Sequence, residues 1–357
     1  MKKGLRRWLW LGLGAIVLGL IITNLARSPE WRDFRWDRFW VSLTQARPGL
    51  LLLALLAVYA TYGVRAIRWR CFLDPIKHAS LWVLFVGQVL GFSSIYLVGR
   101  PGEFVRPAYI AKKEDVPMSA MVAVWLLERV FDAICLVFLF AAALYFEPLG
   151  SSTERGAAVV GAMHHFGNAM FLVTALAVAG LIVFRLRAEK ATAGCVRVLR
   201  FLPPRPLHHL EHFLHSFGEG LGVIQNLWDF LESAAWTVVL WVLNITIFWL
   251  VFQSLGGGLE HVRWLAAGLV MFCAALGLVV QFPGIGGGYQ VGTILALTEI
   301  FNVAPEAATG AGILIWIVMS MPCLVLGLLL LIHEGLTYKG LKAITEEERA
   351  LVEPAHD

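Results

Sequence analysis

Gly99-Arg100-Pro101-Gly102-Glu103 interrupts one apolar run of the chain, and Pro283-Gly284-Ile285-Gly286-Gly287-Gly288 interrupts another. Proline and clustered glycine do not continue a helix, yet neither stretch is long or polar enough for an aqueous loop. Such breaks suit backbone that turns back inside a membrane, where protein or a water-filled cavity satisfies its freed polar groups. Around them lie the apolar segments 8–25, 49–64, 80–98, 118–146, 167–184, 234–255, 264–282, 286–301 and 307–332. A bilayer span takes about 20 mostly apolar residues, so these supply roughly six to nine membrane segments. Of the 357 residues, 59% are hydrophobic and 15% charged, and the mean hydropathy is +0.72. An integral membrane protein follows, with no separate soluble domain. The longest polar stretch, 185–233, is too short and too punctuated by Pro and His to hold its own core.

The positions of Lys and Arg choose between two threadings. With 80–112 and 264–301 as hairpins that enter and leave on one side, 20 of the 29 basic residues fall inside and 7 outside, leaving Arg100 and Arg129 in the membrane. With 80–98 and 264–282 as full spans, the tally is 13 inside and 15 outside. The hairpins are preferred. One difficulty accompanies them: 80–98 would be about 28 Å long as a helix, nearly a full crossing, so it needs tilt or a bend near Ser93-Ser94.

The resulting fold class is an all-α integral membrane protein with about six full spans plus two re-entrant broken hairpins, arranged as an inverted repeat. The first repeat, 1–146, comprises spans 8–25 and 49–64, hairpin 80–112 and span 118–146. The second, 167–332, comprises spans 167–184 and 234–255, hairpin 264–301 and span 307–332, with 185–233 as a cytoplasmic loop and 333–357 as a cytoplasmic tail. Each unit crosses three times, so the two are inverted, a pattern of alternating-access transporters whose sites lie where broken segments meet. A polytopic bundle with two incidental Gly-rich kinks is the plainer alternative. The basic start Lys2-Lys3-Gly4-Leu5-Arg6-Arg7 and the apolar run after it are expected to form an uncleaved first span, because the run is long and no A-x-A site follows.

Glu128, Arg129 and Asp132 lie about 15 to 21 Å along the 118–146 helix, at mid-membrane. Each such ion costs about 2.5 to 3.5 kcal/mol to insert at a helix centre. Their helical angles fall within one arc, so they can line one cavity or form a structural ion pair that holds helices in register. Arg100, Glu103 and Arg106 surround the Pro-Gly break, where freed amides and two guanidiniums suit a phosphate or carboxylate. The alternative is that both arginines snorkel to the headgroups. Arg65, Arg68 and Arg70, with Trp69, are expected to be interfacial anchors at the end of the second span.

The second break carries no formal charge. Gly284, Gly286, Gly287 and Gly288, followed by Tyr289 and Gln290, are expected to open a half-helix whose amides point at the first hairpin. The stretch follows no strand and lacks a GxxxxGK[ST] lysine, which argues against a nucleotide site. His208, His212 and His215 share a helical face that could bind metal, although an amphipathic interfacial helix is the simpler reading. Cys71, Cys135, Cys195, Cys273 and Cys323 stand singly and suggest neither disulfides nor zinc. No cofactor is implied. The formal charge of +4 reads as topology signal rather than nucleic-acid affinity.

Gly99-Arg100-Pro101-Gly102-Glu103-x-x-Arg106, followed by Leu127-Glu128-Arg129-Val130-x-Asp132, resembles the pattern of the lysylphosphatidylglycerol synthase transmembrane-region family. The 283–288 stretch, the turn at 303–305 and the long span after it resemble that family's C-terminal half. The resemblance covers nearly the whole chain and implies a flippase-like unit that moves polar lipids between leaflets. Two positions depart: Gln290 stands where members often have Glu, and Trp316 where they often have Arg. Aminoacyl transfer in the family belongs to an appended soluble domain that this sequence lacks, so no enzyme activity is expected. A translocase of an anionic or phosphate-bearing lipid in the bacterial cytoplasmic membrane, with both termini cytoplasmic, is therefore the leading expectation. A transferase on a lipid-linked substrate would commonly show a metal-binding DxD, which is absent, and an assembly partner would not need three mid-membrane charges. The partner expected is a membrane lipid, with room for a homo-oligomer and for a separate lipid-modifying enzyme.

Overall fold

A computed structural model describes residues 34–147, 154–186, 227–277, 281–282 and 286–333. The expected first span, most of the 185–233 loop with its histidines, and the tail from 334 lie outside the described residues. Ten α-helices are described: α1 (Trp36–Thr44), α2 (Pro48–Leu73), α3 (Leu81–Val98), α4 (Val105–Glu114), α5 (Met118–Phe146), α6 (Glu154–Leu186), α7 (Leu227–Leu255), α8 (Trp264–Gly277), α9 (Gly288–Glu299) and α10 (Pro305–His333). Short 3₁₀ turns cover Arg100–Phe104 and Leu259–His261. Within the described residues, four helices are long and apolar enough to cross a membrane: Pro48–Leu73, Met118–Phe146, Trp228–Leu255 and Pro305–His333.

Three helices outrun their sequence-based bounds. α2 continues past residue 64 to Leu73, α6 begins at Glu154 rather than 167, and α7 begins at Leu227 rather than 234. Hydropathy marks where charge begins, and a helix ends only where its backbone hydrogen bonds end. No proline interrupts any of these extensions.

The chain divides into two compact units. The first takes in residues 1–58, 139–165 and 244–321. In it, α8 and α9 pack against each other as the arms of a broken hairpin. A Cβ on Gly277 would strike the Gly288 carbonyl, and one on Gly292 would strike the Cys273 carbonyl, so small residues permit backbone contact between the arms. At the tip, Gln281 pairs with Gly287 and Phe282 with Gly286 in a two-residue antiparallel ladder, β1 (Gln281–Phe282) with β2 (Gly286–Gly287). The ladder satisfies backbone groups of a stretch that the sequence marked as unable to continue a helix. Phe140 stacks on Phe272 with ring centres 4.2 Å apart, and buried Phe248 and Phe252 extend this core. The Glu306 carboxylate at the start of α10 accepts a 3.0 Å bond from the Arg35 backbone N–H. Just before α1, the Arg35 guanidinium donates to Asp37 and holds that exposed carboxyl below its ordinary value.

The second unit comprises residues 59–138, 166–243 and 322–357. α3, the Arg100–Phe104 turn and α4 form its broken hairpin. Gly99 ends α3 at φ +85°, a left-handed conformation that favours glycine. A Cβ on Gly91 would stand 2.6 Å from Arg106 Cβ, and one on Gly87 2.8 Å from Ile110 Cγ1. Those two glycines, one turn apart on α3, let α4 lie directly on it. Ser93 and Ser94 each return a hydroxyl to the carbonyl four residues back, at 2.7 Å. Such back-bonding places polar side chains inside an apolar helix without loss of partners. Trp69, Phe72, Leu84, Leu90, Ile110 and Met121 are fully buried around this hairpin.

Candidate functional site

The deepest polar feature of the second unit is assembled from five helices. On α5, Glu128 and Asp132 are one turn apart and Arg129 lies between them. α2 contributes Arg68, α4 contributes Arg106, α3 contributes Gln88, and α7 contributes Thr237 and Trp241. Arg106 stands in the first turn of α4, where Pro107 is tolerated because its missing N–H would have no partner in the helix.

Glu128 is at the centre. Its Oε1 accepts from Arg68 Nη2 at 2.5 Å and from Arg106 Nη1 at 3.4 Å. Its Oε2 accepts from Arg106 Nη2 at 2.7 Å and bridges to Arg129 Nη2 at 3.1 Å. Asp132 Oδ1 accepts from Arg68 Nη1 at 2.6 Å and from the Trp241 indole N–H at 3.1 Å. Asp132 Oδ2 takes Arg129 Nη2 at 3.3 Å and Arg68 Nη2 at 3.5 Å. Arg106 also donates to Gln88 Oε1 at 2.8 Å, and its guanidinium lies 4.5 Å from the Trp69 ring centre.

The side chains of Arg68 and Glu128 are 0% exposed, those of Arg106 and Asp132 6% and 7%, and that of Arg129 44%. Three guanidiniums are bonded to two carboxylates; Arg65, over the Phe92 ring at 4.6 Å, is a fourth cation within electrostatic reach and Glu103, facing Arg129, a third anion, so one net positive charge remains. Short charge-assisted bonds make the buried part a rigid frame, from which Arg129 alone opens outward.

The family model for the lysylphosphatidylglycerol synthase transmembrane region matches residues 8–327. The chain belongs to this family. No curated protein matches it. Membership together with the long apolar helices makes this a multi-pass membrane protein linked to lipid metabolism or transport. The cluster joins three helices long and apolar enough to cross a membrane, α2, α5 and α7, to the shorter α3 and α4.

Of the residues singled out from the sequence, Arg106, Glu128, Arg129 and Asp132 come together in the second unit. Glu103 is half-buried in the Arg100–Phe104 turn, and the side chain of Arg100 lies outside the described residues, as does Gly284. Gly286, Gly287, Gly288, Tyr289 and Gln290 belong to the first unit. There Gln290 Oε1 accepts the Gly287 N–H at 2.6 Å, and Tyr289 packs edge-on against Phe248. Gln290 therefore serves the N-terminus of α9 with a neutral acceptor.

Arg68 corrects the interfacial-anchor expectation. Because α2 runs on as helix to Leu73, Arg68 is carried into the interior and neutralised by both carboxylates, whereas Arg70 remains 46% exposed beside Asp74. Gln88, Thr237 and Trp241 also escaped sequence reading. A lone glutamine within the apolar 80–98 run was a usable signal; a threonine and a tryptophan in an apolar helix carry none.

Proposed function

We propose that the protein translocates a polar lipid with an anionic or phosphate-bearing headgroup between the leaflets of a bacterial cytoplasmic membrane. The observation that carries this reading is Arg129: a guanidinium 44% exposed on a membrane-spanning helix, attached to a cluster with one surplus positive charge. A cation exposed at such depth is costly unless an anion or water meets it. Both of its bridges are made through Nη2, so Nε and Nη1 lie outside them as further donors for a phosphate or carboxylate. Lipid-linked family membership supplies the source of that anion. In this reading the two broken hairpins are re-entrant, the two halves of the chain are inverted repeats, and both termini are cytoplasmic.

The test is the rate at which fluorescent phosphatidylglycerol becomes inaccessible to, or exposed to, an external quencher in proteoliposomes. Arg129→Gln leaves Glu128 bonded to Arg68 and Arg106, and Asp132 to Arg68 and Trp241, so folding should persist while the rate falls about tenfold or more, the loss expected for one charged hydrogen bond. Arg70→Gln should leave the rate unchanged. A wild-type rate equal to that of protein-free liposomes, or an Arg129→Gln rate equal to wild type, overturns the proposal.

A further inference from the structure

Helix α1, in the first unit, leaves Trp36 67% and Trp40 60% exposed, although Phe39 between them is only 5% exposed. At 3.6 residues per turn, Phe39, Leu43, Trp36 and Trp40 follow one another round an arc of about 100°, and Asp37 and Arg38 lie outside it. One edge of this arc rests on protein. A Cβ added to Gly310 of α10 would stand 3.2 Å from Ser42 Oγ and 3.6 Å from Leu43 Cδ2, and Phe39 is buried. The other edge, Trp36 and Trp40, projects outward. Phe34, Trp36, Phe39 and Trp40 meet edge-on or tilted with ring centres 5.2 to 6.3 Å apart, so the outward rings are held in one set with the buried one.

The level of α1 is fixed at both ends. Before it, the Arg35 N–H is bonded to Glu306, the second residue of α10. After it, the Arg47 N–H donates at 2.9 Å to the Ser254 carbonyl in the last turn of α7, and α2 begins at Pro48. All three helices are long and apolar enough to cross a membrane. In a multi-pass protein the ends of such helices lie where hydrocarbon gives way to headgroups.

From this placement we infer that α1 is a membrane-interface anchor, lying along the boundary between hydrocarbon and headgroups with Trp36 and Trp40 in the lipid and Asp37 and Arg38 toward water. Its partner is a lipid surface, and the anchor is aromatic rather than ionic. An indole suits that boundary because its ring is apolar and its N–H can reach a headgroup. Of the charged residues in 34–44, Arg35 is paired with Asp37 at 2.6 Å, which leaves the single charge of Arg38. Attachment therefore draws on buried aromatic area and is nearly independent of lipid charge. The inference goes beyond the transport reading and does not depend on which lipid is moved.

The test uses full-length protein with its five native cysteines replaced and one cysteine in place of Trp36, Arg38, Trp40 or Thr44, labelled with an environment-sensitive fluorophore in proteoliposomes. Lipids with a nitroxide just below the headgroup or deep in the acyl chain report depth, and iodide reports water. At 36 and 40 the shallow nitroxide should quench about twofold or more above the deep one, with little effect of iodide; at 38 iodide should dominate. The pattern should be the same in phosphatidylcholine alone and with phosphatidylglycerol added. Iodide quenching at 36 and 40 equal to that at 38 overturns the anchor, as does dominant quenching by the deep nitroxide. Protection of both positions from iodide and both nitroxides would place protein over this face, a second copy or another chain, and overturns the lipid partner. Shallow quenching that requires phosphatidylglycerol overturns the aromatic basis. Because a label at 36 or 40 removes a tryptophan, the label at Thr44, one turn beyond Trp40, reads the intact anchor. Trp36→Ser combined with Trp40→Ser should raise iodide quenching there about twofold or more, and an unchanged value overturns the role of the indoles. Should that double variant not fold, the contrast among labels at 36, 38 and 40 decides.

Discussion

Glu128 is the hub of the cluster, since three arginines from three helices converge on its two oxygens. A buried ion pair contributes little net stability over an apolar substitute, but removing one partner strands the other charge and costs about 3 to 5 kcal/mol. Arg68→Ala would take one buried partner from each of two carboxylates, leaving Glu128 with Arg106 and Arg129 and Asp132 with Arg129 and Trp241, and is expected to cost about that much, read as loss of folded, monodisperse protein on heating. Arg70→Ala, whose side chain is 46% exposed, should stay within about 0.5 kcal/mol of wild type. Equal melting of the two variants would show that Arg68 is not part of a stabilising network. The same contrast explains what the sequence could reveal. Glu128, Arg129 and Asp132 were legible because an ion in the middle of an apolar run is expensive in any fold, so its presence alone demands a partner or a cavity. Arg68 was not, because an arginine near the apparent end of a span can always reach the headgroups, and only continuation of the helix to Leu73 denies it that escape.

At the scale of elements, the distance between the arms of a broken hairpin sets where its charges can reach. Arg106 meets Glu128 and Gln88 because α4 lies against Gly87 and Gly91 of α3. Gly91→Val is therefore expected to push α4 outward at the residue that holds Arg106, costing about 1 to 3 kcal/mol as overpacking does and lowering phosphatidylglycerol transport along with it. Gly63→Ala on α2 provides the control: nothing lies within 4 Å of a Cβ there, so it should be neutral or stabilising by about 0.5 to 1 kcal/mol. If Gly91→Val transports lipid at the wild-type rate with unaltered melting, the close arm contact has no bearing on the site. The existence of both breaks and the limits of the first were readable from Pro and Gly placement, since those residues act through local backbone chemistry, whereas the helix before the second break ends at Gly277 rather than 282. The contacts that complete the cluster were not: Thr237 and Trp241 come from α7, more than 100 residues beyond Asp132, and no local pattern marks them. Nor was the 281–282 and 286–287 ladder foreseeable, because two-residue strands are too short to leave a hydropathy alternation.

For the whole molecule, the long apolar helices and family membership establish a multi-pass membrane protein, and the distribution of basic residues provides the handle on its orientation. With the hairpins turning back, 20 Lys and Arg lie on one side against 7 on the other; with every long segment crossing, the bias disappears at 13 against 15. Orientation follows such bias because basic residues near span ends resist transfer across the membrane. The two threadings assign opposite sides to the same three places, which makes them separable in one experiment. Single cysteines at Ser152, Gly257 and Lys190, in a background with all five native cysteines replaced, would be exposed to an impermeant thiol reagent in intact cells with the outer membrane permeabilised. If the hairpins are re-entrant, positions 152 and 257 label and 190 does not, and all three label after the inner membrane is opened. If both hairpin first arms cross fully, 190 labels and the other two stay protected. Protection at 152 and 257 with reaction at 190 would overturn the re-entrant hairpins and, with them, the inverted repeat that depends on three crossings per half.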